Sequence, residues 1–121
     1  MTLKELRDEI NFIKITTDLE ETFNKLDNVC EKYFEQEGDP IFRNILSNGY
    51  INKEDLYSLK EMLLDTINKY MSMTKEERIR DEIELLKEIY NEQFNKGIHP
   101  VKVEKDLDYL ESLRGILWQE Y

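Results

Sequence analysis

Residues 74–94 read TKEERIRDEIELLKEIYNEQF and begin with Thr74 three positions ahead of Glu77. In a capping box, the threonine hydroxyl accepts a hydrogen bond from the third backbone N–H of a helix, and the glutamate reaches back to the threonine N–H. The apolar residues that follow recur every three or four positions, which is the spacing of one helix face: Ile79, Ile83, Leu86, Tyr90 and Phe94. This segment therefore predicts a long helix with one buried side.

The same threonine and glutamate pair precedes two further apolar runs, as Thr2-Leu-Lys-Glu5 and Thr17-Asp-Leu-Glu20. Asn52 resembles another helix cap, and the Asp-Pro pair at residues 39–40 is a typical helix start. Glycines follow three of the segments, and glycine tolerates the left-handed backbone at a helix C-terminus. We predict six helices, at about residues 3–14, 18–37, 40–47, 52–71, 74–97 and 103–119.

No segment alternates apolar and polar residues as a half-buried strand does. With 121 residues the chain has the size of one domain and is long enough to bury a core. The sequence therefore predicts an all-α fold, a compact helical bundle of about six helices, four long and two short. We interpret residues 1–121 as a single helical domain.

Composition and charge restrict the function classes. Charged residues make up 36% of the chain and apolar residues 40%, which is typical of a folded protein. The net charge of −10 and the lack of clustered Lys and Arg argue against direct nucleic-acid binding and favour a basic protein partner. We expect no membrane contact, since no apolar run approaches the roughly 18 residues that span a bilayer. The lone Cys30 and the amphipathic first helix favour a cytoplasmic location.

The sequence offers little catalytic or metal chemistry. Cys30 lies on the apolar face of its predicted helix and His99 lies in a turn, so we do not expect them to form a nucleophile and base. One cysteine and one histidine cannot supply the ligands of a zinc site, and His99 lacks the glutamate that a di-iron site needs three residues before it. We therefore expect no enzyme, no metal and no cofactor.

Residues 48–56, NGYINKEDL, resemble the second half of an EF-hand calcium loop. The resemblance would place Gly49 at the sharp turn and Asp55 at the final ligand position. Two departures weaken it, because Leu46 at the third loop position offers no side-chain oxygen and aspartate is shorter than the usual glutamate. The alternative is that Gly49 ends one helix and Asn52 caps the next.

Two rows of carboxylates recur at helical spacing. At about 100° per residue, the row on the fifth helix lies opposite its apolar face, toward solvent or a partner. Such rows could present carboxylates to a groove that normally holds phosphates, or they could be solvated faces of a glutamate-rich chain. The candidate partner-binding residues are Glu77, Asp81, Glu84, Glu88 and Glu92 on the fifth helix, and Glu20, Asp27, Glu31 and Glu35 on the second.

Trp118 and Tyr121 form a secondary candidate interaction surface at the C-terminus, with core packing as the alternative. Together these patterns predict a small acidic protein-binding module, an inhibitor or adaptor of a basic nucleic-acid-handling protein of the sort that phages and mobile elements encode. The alternatives are a self-associating structural or regulatory bundle, possible as a homodimer, and an antitoxin or immunity protein.

Overall fold

The computed structural model describes the backbone of residues 1–119 and the side chains of residues 1–115. Within that part of the chain every regular element is helical, which confirms the all-α prediction of four long and two short helices. The helices are α1 (Leu3–Phe12), α2 (Leu19–Glu37), α3 (Ile41–Ile45), α4 (Lys53–Tyr70), α5 (Lys75–Asn95) and α6 (Val101–Gln119). A single 3₁₀ turn, Leu46–Asn48, follows α3.

Threonine side chains cap the starts of α1 and α5. The Thr2 hydroxyl accepts from the backbone N–H of Glu5 at 3.1 Å, and the Thr74 hydroxyl accepts from that of Glu77 at 3.2 Å. Each glutamate carboxylate in turn accepts from the threonine hydroxyl, at 3.3 and 3.2 Å. The predicted threonine caps are therefore confirmed at these two helices. The glutamate carboxylate bonds back to the threonine hydroxyl, whereas in the predicted capping box it bonds to the threonine N–H.

The start of α2 differs from the prediction. Asp18, and not Thr17, is the N-cap, because Asp18 Oδ1 accepts from the backbone N–H of Glu21 at 3.1 Å. The hydroxyl of buried Thr22 donates to the carbonyl of Asp18 at 3.0 Å and accepts from the N–H of Thr16 at 3.2 Å. This network fixes the chain ahead of the helix, and aspartate caps at least as well as threonine.

The chain forms two compact units, Met1–Ser72 and a second that begins at Met73. In the first unit α1 and α2 pack against each other and against α4, and α3 packs against α2 and α4. Tyr33, Phe42 and Tyr70 form an aromatic cluster with ring centroids 5.3 and 6.3 Å apart. The interpretation of residues 1–121 as one domain stays a prediction.

The second unit is a hairpin of α5 and α6. Gly97 has φ of 81°, its N–H donates to the carbonyl of Phe94 at 3.0 Å, and the N–H of Ile98 donates to that of Gln93 at 3.1 Å. These two bonds form a Schellman motif, in which the left-handed residue is usually glycine. The predicted end of the fifth helix at Gly97 is therefore confirmed.

The buried face of α5 is rotated from the predicted apolar stripe. Phe94 is 56% exposed and Tyr90 is half-buried, although both belong to the predicted stripe. At 100° per residue, these two positions lie toward one edge of the face that the hairpin buries. The side chains on that face are Ile79, Glu82, Ile83, Leu86, Ile89 and Gln93.

Candidate functional site

The carboxylates predicted on the fifth helix form one row on the exposed side of α5, which we call the α5 ridge. Four of the five are exposed and Asp81 is half-buried. The row runs for about 22 Å along the helix axis, at 1.5 Å per residue. It lies opposite the buried face, as predicted from the spacing. The members of the α5 ridge are Glu77, Asp81, Glu84, Glu88 and Glu92.

Two carboxylates of the α5 ridge already interact with other groups of the protein. Glu77 accepts from the hydroxyl of Thr74 in the helix cap, and Asp81 interacts with another group. Glu84, Glu88 and Glu92 are exposed and follow one another at intervals of four residues, where side chains of one helix face are neighbours. These three glutamates are the part of the ridge that is best placed to meet a partner.

The carboxylates predicted on the second helix, which we call the α2 ridge, are placed differently. Glu31 Oε2 lies 3.4 Å from an Nη of Arg43, and the Arg43 guanidinium lies 3.7 Å from the centre of the Phe34 ring. Asp27 is half-buried and has an interaction partner. Only two members are fully exposed. The α2 ridge consists of Glu20, Asp27, Glu31 and Glu35.

The two ridges belong to different units, so each is a surface of its own unit. The structure brings the members of each ridge onto one helix side, as the spacing predicted. The two ridges differ in their counter-ions, because the partly buried Arg43 of α3 neutralises Glu31 in the middle of the α2 ridge. This distinction could not be predicted from the helical period, since Arg43 lies on another helix.

A groove of about 470 Å³ lies between α1 and α2. Phe12 and Val29 provide its apolar surface, and Phe12 is 88% exposed. Its other lining residues are Asp8, Glu9, Asn28 and Lys32. This groove could not be predicted from the sequence, because Phe12 falls off the apolar period of α1 and nothing local indicates that a second helix lies beside it.

The two residues considered for nucleophilic catalysis lie in different surroundings, one buried and one exposed. Cys30 is completely buried, and burial raises the pKa of its thiol well above the ordinary value, with the charges of Asp27 and Glu31 acting in the same direction. A thiol of this kind stays protonated and is a poor nucleophile. His99 is exposed in the turn before α6.

The segment that resembles a calcium loop is a helix cap in the structure. Asn52 Oδ1 accepts from the N–H of Asp55 at 2.9 Å, while Asp55 Oδ2 accepts from the N–H groups of Ile51 and Asn52 at 2.8 and 3.4 Å. Leu46 is buried, and the Asn44 amide donates to the carbonyl of Pro40 at 2.7 Å. Among the described residues, no three His, Cys, Asp or Glu side chains are grouped to hold a metal ion.

Three polar residues of the hairpin are buried, which the apolar stripe predicted from the sequence did not include. Glu82 is 2% exposed, and Gln93 and Asp106 are each 7% exposed. An Nη of Arg78 lies 3.8 Å from Glu82 Oε1. The heptad spacing of residues 79, 82, 86, 89 and 93 could have identified Glu82 and Gln93 as core positions.

Apolar side chains are also exposed on the hairpin, including Phe94, Ile98 and Val101. None of the helices in the described part of the chain is both long and apolar enough to cross a membrane. The secondary candidates Trp118 and Tyr121 lie outside the described side chains.

Comparisons with models of protein families, with curated proteins and with solved structures gave no match for this chain.

Proposed function

We propose that this chain is a protein-binding module that engages a basic partner through the α5 ridge. Its most specific form is an inhibitor or adaptor of a nucleic-acid-handling protein, encoded by a phage or mobile element and acting in the cytoplasm. The observation that carries the proposal is the exposed row of Glu84, Glu88 and Glu92 on the side of α5 that faces away from the hairpin core.

The row is unfavourable for the helix itself. Like charges four residues apart destabilise a helix by about 0.2–0.5 kcal/mol per pair, and the three glutamates make two such pairs. A row that only kept the protein soluble could alternate with lysines at no such cost, as Glu21 and Lys25 do on α2 at 3.2 Å. Cationic groups of a basic partner would offset the repulsion between these carboxylates. The row would then favour binding although it disfavours the isolated helix.

The partner is identified by its charge. A single-sign row on a chain of net charge −10 attracts a surface of Lys and Arg and repels phosphates. Proteins that handle nucleic acids carry such surfaces, so a row of carboxylates could occupy the place of a phosphate backbone. Binding of this kind weakens as salt rises, because exposed charges are screened beyond about 10 Å at 0.1 M salt.

Self-association is the second candidate, and a different observation favours it. Phe94 and Ile98 are 56% and 53% exposed near the turn of the hairpin. Exposed apolar side chains are typical of surfaces that a second copy can cover. Light scattering of the purified protein distinguishes this candidate, since a basic partner is not needed for a dimer.

The test is affinity capture from a lysate at low and high salt, with the double variant Glu84→Lys/Glu88→Lys beside the unchanged protein. Glu61→Lys/Asp65→Lys is the matched control, because it reverses two exposed charges four residues apart on α4. The proposal requires a basic protein that the unchanged chain and the control retain at low salt and that the α5 variant loses. Equal loss in both variants would show attraction to overall charge and would reject the α5 ridge.

A further inference from the structure

The groove between α1 and α2 combines an apolar surface with an acidic rim. Phe12 ends α1 with 88% of its surface exposed, and Val29 lies in the same groove of about 470 Å³. Asp8 and Glu9 line the groove on the α1 side. Covering an exposed phenyl ring is favourable in proportion to the apolar area removed from water, so this ring is a natural anchor point for a partner.

The groove continues along α2 into a second, acidic concavity. Asn28 lines both, and the second concavity has a volume of about 440 Å³. Glu20, Asn24, Asn28 and Lys32 follow at intervals of four residues and therefore share one side of the helix. The remaining residues of the second concavity are Asp18, Glu21 and Lys25.

The lysines of this surface are already paired. Lys25 Nζ lies 3.2 Å from Glu21 Oε1, and Lys32 Nζ lies 3.7 Å from Glu9 Oε1. The surface as a whole carries five carboxylates against these two lysines and the adjacent Arg7, whose Nε lies 3.8 Å from Asp8 Oδ1, so it keeps a smaller excess of negative charge. That excess attracts cationic groups and repels nucleic acids and anionic lipid surfaces.

We propose that the α1/α2 groove is a docking site for a basic amphipathic helix of a partner protein. An apolar side chain of that helix packs against Phe12 and Val29, and its Lys or Arg side chains lie over Asp18 and Glu20 of the second concavity. This is the helix-in-groove mode of recognition, in which an apolar face gives affinity and charges fix orientation. The inference rests on the proposed function and adds the chemistry of the segment that the basic partner contributes.

Two designed peptides of about 18 residues serve as probes. The first is a helix of Lys, Gln and Leu with the leucines on one face, and the second carries alanine at every leucine position and has the same charge. Each is titrated into the full ¹⁵N-labelled chain while the backbone amide resonances are followed. The leucine peptide is expected to shift the amides of Phe12, Asn28 and Val29, and to bind about tenfold more tightly than the alanine peptide.

The substitution Phe12→Ser should weaken binding of the leucine peptide about tenfold, to the level of the alanine peptide. Ile51→Ser is the matched control, because Ile51 is 90% exposed in the same unit and should not affect binding. Equal affinities of the Phe12→Ser variant and the unchanged protein would overturn the proposal. So would the same amide shifts on concentrating the protein alone, because a second copy would then be the occupant.

The two proposals fail separately in this experiment. Both peptides should also shift the amides of Glu84 and Glu88 at low salt if the α5 ridge attracts basic partners. A response at the α5 ridge with none at Phe12 rejects the groove and keeps the proposed function. A response at Phe12 with none at the α5 ridge rejects the ridge and keeps a basic segment in the groove.

Discussion

The ammonium group of Lys60 lies 2.6 Å from the carbonyl oxygen of Ile13 and 3.4 Å from that of Asn11. Both carbonyls are at the end of α1, where backbone acceptors have no partner within the helix and carry the negative end of the helix dipole. A lysine of α4 thus caps a helix 47 residues earlier in the chain. The contact also holds the end of α1 that carries Phe12 against the rest of its unit.

Lys60→Met should lower the free energy of unfolding by about 1.5–3 kcal/mol, the range for hydrogen bonds that involve a charged group. The methionine keeps most of the apolar stem, so the change reports mainly on the ammonium group. Urea denaturation followed by circular dichroism gives the difference, and Lys53→Met is the control because Lys53 is exposed. Amide exchange in α1 should also be faster in the Lys60 variant than in the unchanged protein. Equal urea midpoints for these two proteins would contradict the cap.

Glu88→Lys and Glu31→Lys should change stability in opposite directions. At Glu88 the lysine turns two like-charge pairs into opposite-charge pairs and should stabilise the protein by about 0.8–2 kcal/mol. At Glu31 it faces Arg43, whose guanidinium is partly buried, and should destabilise. Thermal unfolding of both variants measures this. If Glu88→Lys stabilises and also loses the partner, the α5 ridge serves binding at a cost in stability; a destabilised Glu88→Lys would contradict the exposed placement.

Asn52→Ala should cost about 1 kcal/mol, because it removes the side chain that accepts from the N–H of Asp55 at the start of α4. Asn68→Ala is the control, since it makes the same change at an exposed position inside α4, where alanine favours the helix. Urea midpoints should therefore move in opposite directions. Addition of millimolar calcium should leave both midpoints in place, and a calcium-dependent rise that Asn52→Ala abolishes would restore the calcium-loop interpretation.

The buried thiol of Cys30 should make stability depend on pH in the alkaline range. Burial, with help from Asp27 and Glu31, raises the thiol pKa above its ordinary value of 9.0, so the folded chain keeps the proton after the unfolded chain has lost it. This contribution is complete below pH 9.0 and decreases as the pH rises above it, by up to about tenfold in the unfolding equilibrium constant per pH unit. Lysines and tyrosines titrate in the same range, so the measured quantity is the difference between the unchanged protein and Cys30→Ala. If the difference in stability between these two proteins stayed constant from pH 8 to 10.5, the predicted contribution of the thiol would be contradicted.

The helices could be predicted because their determinants are local. Thr74 with Glu77 marks the start of α5, and Gly97 marks its end, from residues only a few positions apart. At α2 the cap is Asp18 and not the predicted Thr17, and the Asp18 carbonyl also accepts from the hydroxyl of Thr22, whose burial depends on packing.

The surfaces were less predictable, because they depend on neighbours distant in sequence. The period of α5 gave the side on which its ridge lies. It could not show that Arg43 neutralises Glu31, or that α1 and α2 lie close enough to form a groove at Phe12. Those arrangements follow from how α1, α2 and α3 pack, which no single helix determines.

Three polar residues are buried in the α5–α6 hairpin, and their burial bears on how the two helices are aligned. Glu82, Gln93 and Asp106 are nearly inaccessible to water, and none of them is without a partner. A purely apolar seam tolerates sliding, because one leucine contact resembles the next. A slip of one turn, about 5.4 Å, would place each of these polar side chains against different residues of the other helix, although Glu82 would keep its ion pair with Arg78 of α5. Because a buried polar group without a partner costs about 1–3 kcal/mol, the observed alignment, in which all three have partners, is favoured, and it sets the heights of the α5 carboxylates relative to α6.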